Sequence, residues 1–342
     1  MEISIRFEDS CNSNQQVIVE DISGFSNILK ELGEPANGYM RFFRGHGNKE
    51  WGLLPGIYRD DNLVRNEDKI IKDALSYCPD YFRPSDTLFE KLARLQHYGY
   101  ATRLLDLTSN ALVSLYFAAS GESNKDGEII VLDIPKSAIK YDDSDTVAIL
   151  SALSIRESGF NILSPRREAR QIAELSGLSF AKKEQQNFIG SRDSAEHIEA
   201  ALHQIDIMKE HIVEQEYIKH FNSNNEIIKL LHDIMKDKPY FKPIINPEDL
   251  NKVLCIRAKL DNYRVMRQQG CFLLFGINER KNEPACLNDK WKKFLDNEYR
   301  IIVPKENKEK ILQELRAFAI SKQTLFPELD MQAQDIMNKY KS

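Results

Sequence analysis

The feature that most constrains the fold is a change of character near residue 140 that reverses near residue 247. Between those points runs sequence such as "EQQNFIGSRDSAEHIEAALHQIDIMKEHIVEQEYIKHF". It is rich in Glu, Gln, Lys and His, has few glycines after Gly190, and carries no strand signal. On either side, short apolar runs punctuated by glycine and proline alternate with amphipathic stretches. This arrangement predicts an α+β fold, a mixed β-sheet core with packed helices, interrupted by a helical insertion. The expected divisions are a lead-in over residues 1–38, a first core part over 39–139, the insertion over 140–247 and a second core part over 248–342.

Strands are predicted at 3–7, 16–19, 39–44, 127–135, 251–258, 271–277 and 299–304. Helices are predicted at 25–32 with Gly33 as the C-cap glycine, at 66–97, at 110–119, and in two C-terminal stretches, 305–320 and 327–340. Leu88, Leu92 and Leu95 fall on one stripe of the second helix and mark it as core-facing. Thr102 to Leu105 reads as a strand end, with Asp106, Thr108 and Ser109 supplying cap chemistry to the helix that follows.

Composition excludes several classes. Hydrophobic residues at 42% and charged ones at 29% are ordinary for a soluble globular chain. A net charge of −5 removes global steering toward a phosphate backbone. No apolar signal stretch opens the chain and no run of eighteen apolar residues occurs, so no membrane span is expected. The five cysteines are scattered, odd in number and without CxxC spacing. That argues against a disulfide framework or a zinc site and fits a reducing cytoplasm. The glycines of "RGHGNKEWG" form neither GxxxxGK[ST] nor GxGxxG, and HExxH, EF-hand and GxSxG patterns are missing.

What remains is a set of polar residues where strands meet turns. Arg44 ends the aromatic run "YMRFFRGHG" and, read with period two, shares a face with Met40 and Phe42. A guanidinium aimed at the interior needs a partner, because an unpaired buried charge costs several kcal/mol. The partner is either an acid of the protein, with Asp106 the nearest choice, or an anion that the protein binds. Gly45 and His46 follow Arg44; Gln96 and His97 end a helix; Thr102, Arg103 and Asp106 come next; Arg264, Gln268 and Gln269 precede a late strand. Each also has a plain structural role as brace, cap or turn residue.

The tripeptide Phe43-Arg44-Gly45, the downstream "WGLLPGIYR", the block "LQHYGYATRLLDLTSNALVSLYFA" and the late "YRVMRQQGCFLL" together resemble the FRG-domain family. The resemblance covers roughly residues 25–135 and 250–330 and leaves 140–247 unmatched. It implies a bacterial or phage protein associated with toxins or anti-phage defence. The layout is further similar to enzymes of the ADP-ribosyltransferase type, which implies NAD as co-substrate. In that analogy Arg44, His97, Asp106 and Gln268 are the catalytic candidates, and Arg44, Gly45, His46, Thr102, Arg103 and Arg264 hold the dinucleotide. Glutamine at position 268 departs from the acid that such enzymes carry, so Asp106 or Glu279 would have to supply the negative charge. Three functions stand open: an NAD-using effector with a nucleic-acid or protein target, a metal-independent ribonuclease using His46 and His97 as acid and base, and a non-enzymatic module that senses a nucleotide or phage component. The helical insertion is a candidate surface for a regulatory or antitoxin partner.

Overall fold

The computed structural model describes residues 7–8, 15–188, 195–257, 259, 263–296, 299–329, 332–333, 336–337 and 340. The predicted strand at 3–7, apart from its last residue, and most of the predicted helix at 327–340 lie outside the described residues.

The chain opens with strands β1 (Phe7–Glu8) and β2 (Gln16–Ile18) and helix α1 (Ile22–Leu32), which Asp21 caps and Gly33 closes at φ 63°. Strand β3 (Tyr39–His46) follows, then the short helix α2 (Asp61–Arg65). The predicted helix at 66–97 is two helices, α3 (Glu67–Tyr77) and α4 (Leu88–His97). Pro79 breaks the run, and a Thr87–Glu90 capping box restarts it. Strand β4 is Leu104–Thr108 and helix α5 Ala111–Ser120. Asp106 and Thr108 therefore lie in a strand rather than in a cap, which Asn110 provides by accepting from the Leu112 and Val113 amides. Strand β5 (Gly127–Pro135) matches its predicted bounds, and β6 (Ile139–Tyr141) extends one strand into the range expected to be helical.

Helices α6 (Asp145–Ala152), α7 (Leu163–Phe188), α8 (Ala195–Asn222) and α9 (Asn225–Asp237) make up the helical stretch. The core then resumes with β7 (Val253–Arg257), α10 (Tyr263–Arg267), β8 (Gly270–Phe275), β9 (Lys292–Lys293), β10 (Arg300–Val303), α11 (Lys308–Ala317) and the single turn α12 (Lys322–Leu325).

The strands form one mixed sheet in the order β1-β2-β10-β5-β3-β4-β8-β7-β6, with β9 added beside β5. Only the β2–β10 and β6–β7 pairs are parallel. One face carries two separate apolar cores. Val17, Ile301, Ile129, Val131 and Phe43 pack under α1, α5 and α11. Leu104, Phe272, Leu274, Leu254 and Ile256 pack under α4, α6 and α9. Parts of the helical stretch thus belong to the core, including Ala169 and Ala173 of α7 and Tyr217 and Phe221 of α8. The opposite face buries Phe42, Leu105, Leu107, Leu132 and Leu273 against Trp291 and Ala285, with Met40 partly buried there.

The two cores meet above the junction of β3 and β4, and the sheet is weakest there. Those strands share a single register pair, Phe43 with Thr108, whereas β3 and β5 stay paired over eight residues. Beyond Phe43 the two strands diverge and leave a seam.

Candidate functional site

The family tripeptide is built around that seam. Phe43 is buried in the core beneath α5. Gly45 lies so close to α5 that a Cβ there would sit 1.9 Å from the Ser114 carbonyl oxygen and 2.6 Å from the Ala118 amide nitrogen. Only glycine admits this approach. Arg44 lies between them in sequence and starts on the opposite face, with Phe42. Its guanidinium fills the seam: Nη1 donates to the Asp106 backbone carbonyl at 2.6 Å and Nε donates to His46 Nε2 at 2.8 Å. It thus satisfies a strand carbonyl that the diverging β3 cannot reach.

No carboxylate among the described residues closes an ion pair with Arg44; its partners are a carbonyl and an imidazole. Burial pushes the guanidinium down to about 10, with the Asp106 charge opposing the shift and Arg59 adding to it. His46 is fully buried. Burial and the charges of Arg44 and Arg59 push its imidazole down to about 3. A ring that accepts from Arg44 while beside two guanidiniums stays neutral. The direct partners of Arg44 are thus dipoles, with the Asp106 charge acting on it from nearby, and the guanidinium opens onto a cavity of about 310 Å³.

The cavity has apolar walls from Phe43, Phe117, Phe272 and Trp51, and a polar floor from Arg44, Asp106, Gln96 and Gln268. Asp106 is the exposed residue of an otherwise buried strand. Its Oδ2 accepts from Gln96 Nε2 at 3.0 Å. Gln96 is fixed in turn, because its Oε1 accepts from the Thr102 hydroxyl at 2.8 Å, and Thr102 accepts from the Leu104 amide at 3.1 Å. A second cavity of about 300 Å³ shares Ala93, His97, Arg264, Val265 and Phe272 with the first. Together they form a two-lobed cleft with Arg264 and His97 on the partition.

The C-terminal segment runs along this cleft. Gln268 Nε2 donates to the Leu325 carbonyl at 3.1 Å, and the Arg264 guanidinium lies 4.5 Å from the Phe326 ring centroid. His97 Nε2 is 3.1 Å from a Glu328 carboxylate oxygen.

The structure therefore gathers Arg44, Gly45, His97, Asp106, Arg264 and Gln268 around one cavity, with His46 directly behind Arg44. Two expected residues lie elsewhere. Thr102 is fully buried and acts on the site only through Gln96. Arg103 does not reach the cleft. It is fully buried, its Nε 2.9 Å and its Nη2 2.5 Å from the two Glu67 oxygens, and its Nη1 donates to the Phe275 carbonyl. Glu279 is also remote, for its carbonyl accepts from the Ile162 amide at the start of α7. Trp51, within a quoted block, is a lining residue that the sequence reading does not single out, and Gln96, named there only as a polar helix-end residue, holds the Asp106 carboxylate.

A mixed sheet split at one seam, with a guanidinium held in the split beside a fixed carboxylate, defines an α+β protein with a polar-floored cavity at the seam. A family model for the FRG domain matches residues 40–127, from β3 to the start of β5. The matched segment includes Arg44, Gln96 and Asp106, whereas Arg264 and Gln268 lie outside it. No curated protein and no solved structure matches the chain.

Proposed function

We propose that the protein is an ADP-ribosyltransferase-like effector that takes NAD as co-substrate and modifies a nucleic-acid or protein target in toxin or anti-phage defence. The observation that carries this reading is the Arg44 charge, desolvated and in no ion pair with a carboxylate among the described residues, facing a two-lobed cleft that also holds the Asp106 carboxylate.

Each lobe lies at the small end of the usual range for ligand cavities, about 300–1,000 Å³. One lobe suits a single nucleoside, and two joined lobes suit a dinucleotide. Arg44 offers its remaining N–H donors to a phosphate or ribose oxygen, and Arg264 on the partition offers a second cation to a diphosphate. The rings of Phe43, Phe117 and Phe272 supply an apolar wall for a flat base. When NAD is bound, heterolysis of its N-glycosidic bond releases nicotinamide with the bonding electrons and leaves an oxocarbenium-like cation on the ribose. In the lobe that Arg44 lines, the Asp106 carboxylate is placed to stabilise that cation. The Thr102–Gln96 relay keeps its oxygen from swinging away. Asp106 thereby takes the role for which Gln268 lacks the charge.

The ribonuclease reading loses one of its two histidines, since a ring held neutral down to about pH 3 and accepting from Arg44 cannot donate a proton to a leaving group. The test is incubation with nicotinamide-labelled NAD, with and without cell lysate, for wild type and Asp106→Asn. Nicotinamide release by wild type that falls about a thousandfold in the variant, with NAD affinity kept, supports the reading. Tight NAD binding without turnover in any lysate leaves a sensing module instead.

A further inference from the structure

Helix α7 is packed the wrong way round for a simple antiparallel hairpin. The face it turns to α8 carries small residues at four-residue spacing, Ala169, Ala173, Gly177 and Ala181. The alanines are buried, and a Cβ on Gly177 would lie 2.5 Å from Val213 Cγ2 of α8. The large aliphatic residues lie on the reverse face. Ile172 is 41%, Leu175 67% and Leu178 46% exposed. At 3.6 residues per turn this second stripe is centred about 180° from the first. A helix that spends its small residues inward and exposes its large ones has a second surface to cover.

The residues along this stripe name its occupant. Continued at heptad spacing it reads Glu168, Ile172, Leu175, Ser179, Lys182, all exposed. The series is self-complementary about Leu175. Glu168 stands seven residues before it and Lys182 seven after, while Ile172 and Leu178 flank it by three on each side. Laid against an antiparallel copy of itself, Leu175 meets Leu175 of the second copy. Ile172 then meets its Leu178, and Glu168 meets its Lys182 twice over by symmetry. A parallel arrangement would instead set Glu168 on Glu168 and Lys182 on Lys182. Opposite charges at the ends of an apolar centre are what an isologous two-fold contact requires.

We propose that α7 is a self-association surface, on which a second copy of this chain docks antiparallel about a two-fold axis through Leu175. The contact lies on α7, none of whose residues lines the Arg44 cleft, so it stands or falls independently of the NAD reading.

Sedimentation equilibrium on the full chain tests it, with circular dichroism to confirm that each variant is folded. Wild type is expected to be a dimer. Leu175→Glu should raise the dimer dissociation constant on the order of a hundredfold by setting two carboxylates at the centre of the contact. Lys182→Glu should raise it about tenfold, and the double variant Glu168→Lys/Lys182→Glu should return it to near the wild-type value. A wild-type monomer at all accessible concentrations overturns the proposal. So does a dimer indifferent to Leu175→Glu, or a charge swap that restores nothing.

Discussion

Arg44 and Arg103 are both drawn into the interior beside β4, yet their surroundings are opposite. Arg103 is saturated: Glu67 grips it with both oxygens, Phe275 accepts from it, and the Tyr58 ring lies 6.0 Å away. Lys281, equally buried, shares the same carboxylate at 3.4 Å. Arg44 has a carbonyl, a neutral histidine and open space. An acid from 36 residues away neutralises Arg103, whereas no carboxylate among the described residues closes an ion pair with Arg44. An internal counter-ion makes an arginine a brace. A guanidinium fixed without one is the feature on which the proposed anion binding rests.

The sharpest way to break this contrast is to remove the brace's acid. Glu67→Gln strands two buried cations and should cost about 3–5 kcal/mol in chemical denaturation, with ligand affinity of the surviving folded fraction unchanged. If stability barely moves, the brace reading of Arg103 fails. The converse change is Arg44→Lys. It should cost less than about 1 kcal/mol of stability yet weaken ADP-ribose binding about a hundredfold, since a lysine cannot reproduce the forked donor set.

His46 distinguishes the two environments by pH. Its folded imidazole sits near 3, against an ordinary value of 6.5. Between those values the unfolded chain takes up a proton that the folded one refuses. Stability is therefore full above about pH 6.5 and falls as pH drops toward 3, by up to about 1.4 kcal/mol per pH unit. His46→Gln should flatten that slope; an unchanged slope would place the titrating group elsewhere. The smallest effect concerns Arg264, whose guanidinium lies 4.5 Å from the Phe326 ring centroid. Phe326→Ala should lower stability by about 1 kcal/mol and speed proteolysis of the segment after Ser321.

How far the sequence revealed this contrast depends on where each partner comes from. The glycine and aromatic punctuation of 39–46 and 127–135 was readable because period two and proline or glycine ends are local signals, and both strands form there. The grouping of Arg44, Asp106, Arg264 and Gln268 was also expected, since all stand where strands meet turns. Arg103 reads like a site residue because it stands with Thr102 and Asp106 at a strand end; Glu67 arrives only through the packing of α3. Asp106 and Thr108 resembled caps because their side chains suit either role, and the ladder with β8 decided for the strand. The C-terminal segment along the cleft had no local signature at all. Its contacts with Arg264, Gln268 and His97 exist only in three dimensions.

The account rests on Arg44 meeting an anion that the protein does not itself provide, and titration calorimetry with ADP-ribose tests this most directly. Wild type should bind one equivalent, with affinity about a hundredfold above that of Arg44→Lys at equal thermal stability. Absence of binding by wild type, or binding that the lysine variant retains in full, would contradict it.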